Sequence, residues 1–185
     1  MRISDNRYTR DRLRLDLALR FMRHEARTHT IRKWTGLTDD RIRKLYRSYL
    51  TMTPEHVARH RGKSPGQASF FIRSPRVQQE ASVLASLFCM LGVTPTTLIV
   101  DEDHPLPGVA RGERLCQAFE AYLMLIPASQ ITFEHAVLLV NELARGIELR
   151  LDNCGTCGGL LVVDKLTLRD VTCGRCLRMQ PEDGR

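Results

Sequence analysis

The spacing of apolar residues divides this chain into mostly helical segments. Leu13, Leu17 and Phe21 fall on one helix face, although Leu13, Leu15, Leu17, Leu19 and Phe21 also alternate as a strand would. The absence of β-branched residues from Arg10 to Ala26 decides for a helix within residues 8–26. Residues 27–49 read as two short helices around Gly36. Residues 51–76 are punctuated by Pro54, Gly62, Pro65, Gly66 and Pro75, which predicts a basic, ordered loop or linker. From 77 to 91, Val83, Leu84, Leu87, Phe88 and Leu91 line one side of a helix that Gly92 ends. Residues 95–100 extend as a short helical turn, and the acids, prolines and glycines from Asp101 to Gly112 predict a loop. Helices follow over 113–126, ended by Pro127, and over 132–145, with Thr132 as N-cap and Gly146 as the stop. Ile147, Leu149 and Leu151 then alternate with polar residues, as in a short strand.

That strand leads into cysteines. Four of the six form C-x2-C-x15-C-x2-C, from Cys154, Cys157, Cys173 and Cys176. Zinc takes four ligands in a tetrahedron, with thiolates about 2.3 Å away, and a Cys-x-x-Cys turn presents two sulfurs on one side. Gly155, Gly158 and Gly174 give such turns their backbone freedom. The spacer, Leu160 to Val163 and then Leu166 to Val171, predicts a hairpin that returns the second pair to the first. A redox Cys-x-x-Cys needs only one pair, so two pairs point to one structural zinc ion per chain. Four thiolates leave no open coordination position for catalysis. Cys89 and Cys116 lie within helices and are expected in the core. The expected fold is mainly α, a helical domain with a helix-turn-helix-like N-terminal part and a small C-terminal four-cysteine zinc ribbon. Its divisions are residues 1–50, basic and helix-turn-helix-like; 51–76, basic loop or linker; 77–146, helical core; and 147–185, zinc ribbon.

The helix-turn-helix reading rests on the stretch from Ala26 to Tyr46. Ile31 and Trp34 pack a first helix, Gly36 makes the turn, and Leu37 plugs the angle. Thr38 caps a second helix whose first turn holds Asp39 and Asp40, where the helix dipole favours acids. Ile42, Leu45 and Tyr49 face inward. Arg41, Arg43, Lys44 and Arg47 remain outside for a major groove. An ordinary helical hairpin would carry the same pattern. Arg32 and the two aspartates stand where such motifs favour a small side chain and base-contacting residues.

Charge strengthens the nucleic-acid reading. Residues 1–65 hold 17 Lys and Arg against 7 Asp and Glu, whereas the whole 185-residue chain holds 28 against 21. A basic third on a mildly acidic remainder suits a polyanion, and it adds Arg61 and Lys63 to the candidate DNA contacts. Arg169, Arg175 and Arg178 also decorate the cysteine segment. No catalytic constellation accompanies them. His56 and His60 share a helical spacing, but no acidic pair accompanies them, as in a solvated pair rather than a metal site. Gly62-Lys63-Ser64 echoes a phosphate-binding loop whose upstream glycine is replaced by Val57. No apolar run reaches the roughly 20 residues of a membrane span, and the charged first 14 residues are unlike a secretory signal. A cytoplasmic protein with reduced cysteines is expected.

Taken together, these residues resemble the C subunit of the bacterial flagellar transcriptional activator, a regulator built from C and D subunits. The resemblance spans roughly residues 10–180. It is carried by Gly36-Leu37 with Arg41 to Tyr46, by Arg61-Gly-Lys-Ser-Pro-x-Gly running to Phe70-Phe71, and by Leu139 to Gly146 leading into Cys154-x-x-Cys157-Gly-Gly. It implies a mostly helical zinc protein that joins a small helical D subunit, binds promoter DNA and activates flagellar and other operons. RNA polymerase is a further expected contact. It places the zinc ligands at Cys154, Cys157, Cys173 and Cys176; with the closed shell and no catalytic constellation, no enzymatic activity is expected. The competing expectation is a zinc-ribbon interaction adaptor without direct DNA contact. A nucleic-acid-modifying enzyme ranks below both, because the zinc shell is closed.

Overall fold

The computed structural model describes residues 2–52, 62–94 and 108–179. Among them the chain is mainly helical, with a cluster of four cysteines near the C-terminus. No helix among them is long and apolar enough to cross a membrane. The elements in order are α1 (Arg2–Arg23), α2 (Thr28–Thr35), α3 (Asp39–Met52), a 3-10 turn (Ala68–Ile72), α4 (Pro75–Met90), α5 (Val109–Leu125), α6 (Phe133–Arg145), β1 (Leu149–Asn153), β2 (Leu160–Asp164) and α7 (Gly174–Met179). They form two compact units. One is residues 1–64 with 101–117, the other 65–100 with 118–185, so the residues of α5 divide between them.

In the first unit α1, α2 and α3 pack on one another. Leu17, Ala18, Phe21 and Met22 are fully buried at one face of α1, so the helical reading of that alternation holds. The Phe21 and Trp34 ring centroids stand 6.0 Å apart, and Leu37 is buried at the α2–α3 corner. Gly36 makes that corner with φ +70°, and its N–H closes on the Arg32 carbonyl. Thr38 accepts from the Arg41 N–H at 3.4 Å and so caps α3. Ile42 and Tyr49 face inward as expected, with Leu45 half-buried. Tyr46 is buried too, and its hydroxyl donates to the Ala26 carbonyl at 2.9 Å. Gly112 of α5 faces Leu17 of α1, whose Cδ2 would lie 2.6 Å from an added Cβ, so any larger residue there would push the Leu17 side chain aside. This part of α5 corrects the loop expected from Asp101 to Gly112. Helix begins at Val109, and the Gly112 N–H bonds the Gly108 carbonyl at 3.0 Å. The rest of that loop and the turn expected over 95–100 lie outside the described residues.

The second unit is built on α4. Ser74 caps it, Pro75 opens it, and Val77, Ala81, Leu84, Ala85 and Phe88 are fully buried. The described part of the expected 51–76 loop contributes Phe71 to this core, fully buried. Phe70 stacks on His135 at 4.0 Å, with the Arg73 guanidinium 4.3 Å over its ring. Burial, and secondarily the Arg73 charge, lower the His135 pKa. That keeps the ring neutral, and its Nδ1 accepts from the Thr132 N–H in a capping box. The α6 caps, Thr132 and Gly146, stand where the sequence placed them.

A buried carboxylate ties α4 to α5 and to the segment before α6. Glu80 is only 3% exposed. It accepts from Arg76 Nε at 3.0 Å, the Gln130 N–H at 2.9 Å, the Tyr122 hydroxyl at 3.2 Å and the Ser129 hydroxyl at 3.4 Å. Burial raises the Tyr122 pKa and keeps the phenol protonated as a donor. Glu80→Ala would take the acceptor from the Tyr122 and Ser129 hydroxyls and the Gln130 N–H, while the largely exposed Arg76 turns to water. We expect it to lower the unfolding free energy of the second unit by about 1–3 kcal/mol, the range for leaving buried donors without an acceptor. Urea unfolding followed by far-UV circular dichroism measures the loss. A change below about 1 kcal/mol would mean that Glu80 anchors nothing.

Candidate metal centre

The cysteines hang on a short hairpin. β1 pairs with β2 antiparallel, from Leu149 opposite Asp164 to Asn153 opposite Leu160. This corrects the sequence expectation, in which Leu160 to Val163 paired with Leu166 to Val171. After β2 the chain turns away. The Leu166 N–H bonds Asp164 Oδ1 at 2.7 Å, the Thr167 N–H bonds the Asp164 carbonyl at 3.1 Å, and Leu166 and Leu168 point to solvent. Arg150 of β1 donates to the Thr167 carbonyl at 2.9 Å and fixes that turn.

Among the described residues the outer edge of β2 meets no third strand, and two side chains of α4 take its place. The Val162 N–H donates to Ser82 Oγ at 3.0 Å, and Gln78 Nε2 donates to the Val162 carbonyl at 3.0 Å. A buried strand edge is thereby satisfied from a helix. Ser82→Ala leaves the Val162 N–H without its acceptor and should cost about 1–3 kcal/mol in urea unfolding. Hydrogen exchange at Val162 supplies the local check, with protection expected to fall there first.

The first cysteine pair occupies the hairpin turn. The Cys154 N–H bonds the Gly159 carbonyl at 2.8 Å, and the Gly158 N–H bonds the Cys154 carbonyl at 2.8 Å. Gly158 adopts φ +69°, the left-handed conformation this knuckle requires. The second pair spans the start of α7, where Cys176 lies in the first helical turn and Cys173 just precedes it. The Gly155 N–H donates to the Val171 carbonyl at 2.9 Å and draws the two pairs together. Cys154, Cys176, Leu161 and Val163 share one buried cluster, against which Val171 and Cys173 pack.

All four sulfurs lie within 4.8 Å of one another. The Cys157 and Cys173 sulfurs are 3.8 Å apart. Bonded sulfurs would stand about 2.05 Å apart, so this is no disulfide. A tetrahedron with metal–sulfur bonds of about 2.3 Å has edges of about 3.8 Å. The residues present therefore fit a tetrahedral thiolate site, and the all-sulfur set suits a soft or borderline metal ion. The backbone already favours thiolates. N–H donation from Cys173, at 3.3 Å, lowers the Cys154 pKa to about 6, and donation from Cys176, at 3.4 Å, lowers that of Cys173. Cys176 is pushed the other way, to about 12, because its thiol is held by hydrogen bonds to Cys173 and Cys157. Binding a cation reverses that balance and expels the proton. Of the other cysteines, Cys116 is buried as expected, whereas Cys89 is half-buried beside Thr94.

The candidate DNA contacts lie in the first unit. Arg41, Arg43, Lys44 and Arg47 are all exposed on α3. Arg43 pairs with Asp40 at 3.0 Å and Arg41 approaches Asp11 at 3.9 Å, while Asp39 faces Arg32 at 3.6 Å. The two aspartates of the first turn thus have cationic neighbours of their own. Lys63 is exposed after Gly62, and Arg61 lies outside the described residues. The sequence reading missed the Glu80 cluster and the Gln78–Ser82 clasp, because both pair residues far apart in the chain. No protein-family model matches this chain, and no curated protein matches it either.

Proposed function

We propose that this chain is a DNA-binding subunit of a bacterial transcriptional activator, with one structural zinc ion at Cys154, Cys157, Cys173 and Cys176. The observation that carries the DNA reading is the outer face of α3. Arg41, Arg43, Lys44 and Arg47 are exposed there, behind an inner face of Ile42, Tyr46 and Tyr49. α2, the Gly36 corner and α3 are read as a helix-turn-helix, with α3 as the groove helix. Ion pairs such as Arg43–Asp40 are exposed and weak, so phosphates can replace them at little cost. Zinc suits the four-thiolate set and closes the coordination shell, so the metal is read as structural rather than catalytic. The zinc ribbon is read as a scaffold for the C-terminal segment.

Following the resemblance to the flagellar activator C subunit, the reading extends to a complex with the small D subunit. Promoters of flagellar and other operons are the targets, RNA polymerase is a further contact, and the cytoplasm is the setting. Titration of labelled promoter duplexes over 50–200 mM salt, with and without the D subunit, tests it. Affinity should fall steeply and log-linearly with salt, as phosphate contacts release counterions. Binding that ignores salt would remove the DNA reading. The second reading, an adaptor that binds protein alone, draws on the exposed Ile147, Leu166, Leu168, Leu177 and Met179 in and beside the cysteine segment. It predicts no duplex binding under any salt condition.

A further inference from the structure

The four cysteines are unequally protected. Cys154 and Cys176 are 2% and 7% exposed and sealed among Leu161 and Val163. Cys157 is exposed and Cys173 half-buried. Those two also share a groove of about 270 Å³ between α4 and the hairpin, walled by Pro75, Val83, Leu160 and Leu161. They come from opposite pairs, yet their sulfurs stand 3.8 Å apart. The accessible sulfurs are thus one from each half of the site.

We propose that Cys157 and Cys173 form an oxidation site, at which a hydroperoxide closes a disulfide across the two pairs and expels the zinc ion. This rests on the zinc reading above. The step balances with hydrogen peroxide as the oxidant. The Cys157 thiolate attacks one peroxide oxygen, the O–O bond breaks, and hydroxide leaves with one proton as water. The Cys173 thiolate then attacks the Cys157 sulfur and displaces the second oxygen, which also leaves as water. Two thiolates, one peroxide and two protons give one disulfide and two waters. The sulfurs need to approach from 3.8 Å to about 2.05 Å, a movement within reach of an exposed knuckle. Zinc keeps only Cys154 and Cys176 as protein ligands and dissociates. The link between the hairpin turn and α7 becomes covalent, so the product is a locked, metal-free state rather than an unfolded one.

The test uses the full-length chain. Zinc content is measured first, and a chain that holds no zinc defeats the zinc reading before any oxidation is done. The zinc-loaded chain is then treated with hydrogen peroxide while a chromogenic chelator reports released metal. Trypsin cuts after Arg150, Lys165, Arg169 and Arg175, which separates Cys173 from Cys176. The proposal expects the 151–165 and 170–175 peptides to be joined, fragmentation to place the bond at Cys157, and zinc and disulfide to appear one for one. N-ethylmaleimide on the loaded chain should label Cys157 before Cys154 or Cys176, which supports the same order of access without any substitution. A bond within the 151–165 peptide, a bond from Cys173 to Cys176, zinc release without a disulfide, or a disulfide elsewhere with zinc retained each overturns the proposal.

Discussion

Cys176→Ser should strip the metal from the chain and open its C-terminal segment to proteolysis, the largest single-residue effect we expect. A serine hydroxyl is a poor zinc ligand, and here it would sit in the apolar cluster of Leu161 and Val163. A structural four-ligand site contributes on the order of 10 kcal/mol of folding free energy in small zinc-binding units. No side chain of a hydrophobic core contributes as much. The hairpin has two strands of five residues each, and α7 has six. Elements that short are marginal without cross-bracing. Zinc content should fall below about a tenth of an equivalent. Trypsin should then cut at Lys165 and Arg175 at a rate set by the opened segment. The single tryptophan, Trp34, lies in the first unit, so its emission reports that unit separately and should hold. Acid should produce the same loss reversibly. Four thiolates exchange one ion for protons, and zinc affinity falls as pH drops. Full zinc retention by Cys176→Ser, with unchanged trypsin resistance, would mean that this sulfur is no ligand.

Neutralising α3 should cost nearly as much in DNA binding. If Arg41, Arg43, Lys44 and Arg47 each meet a phosphate, replacing all four with Gln removes four counterion-release contacts. The log–log salt slope should become shallower by about 3.6, at about 0.9 per contact on duplex DNA. Affinity near 0.1 M salt should fall on the order of 10³-fold, equivalent to about 4 kcal/mol. Stability should barely move, because the exposed pairs lost with Asp11 and Asp40 are each worth less than about 1 kcal/mol. Circular dichroism of the quadruple variant provides that control. An unchanged affinity and slope would place the DNA contact on another surface and remove α3 from the account.

What the sequence disclosed and what it hid follow from the range of the interactions. Helix ends such as Thr132 and Gly146 are written locally, since a cap is one residue answering its neighbours three or four positions on. The four-cysteine pattern was legible because each pair spans one turn of chain and the chemistry requires both pairs. The hairpin partner was not legible. Ile147 to Leu151 and Leu166 to Val171 offer β2 similar alternations, and the choice is made by Asp164, Arg150 and the turn after β2. The clasp of Gln78 and Ser82 on Val162 acts across about 80 positions of sequence, and no local pattern encodes it. Glu80 reads as an ordinary polar residue on a helix until Tyr122, Ser129 and Gln130 arrive around it. Phe71 lay in a stretch whose prolines and glycines spoke for a linker, yet its ring is core.

The central claim is that four sulfurs close around one zinc ion, and X-ray absorption at the zinc edge of the purified full-length chain tests it most directly. The account predicts one zinc per chain with four sulfur neighbours at about 2.3 Å and no nitrogen or oxygen in the first shell. A chain without zinc, or one whose zinc has fewer than four sulfurs, would contradict it.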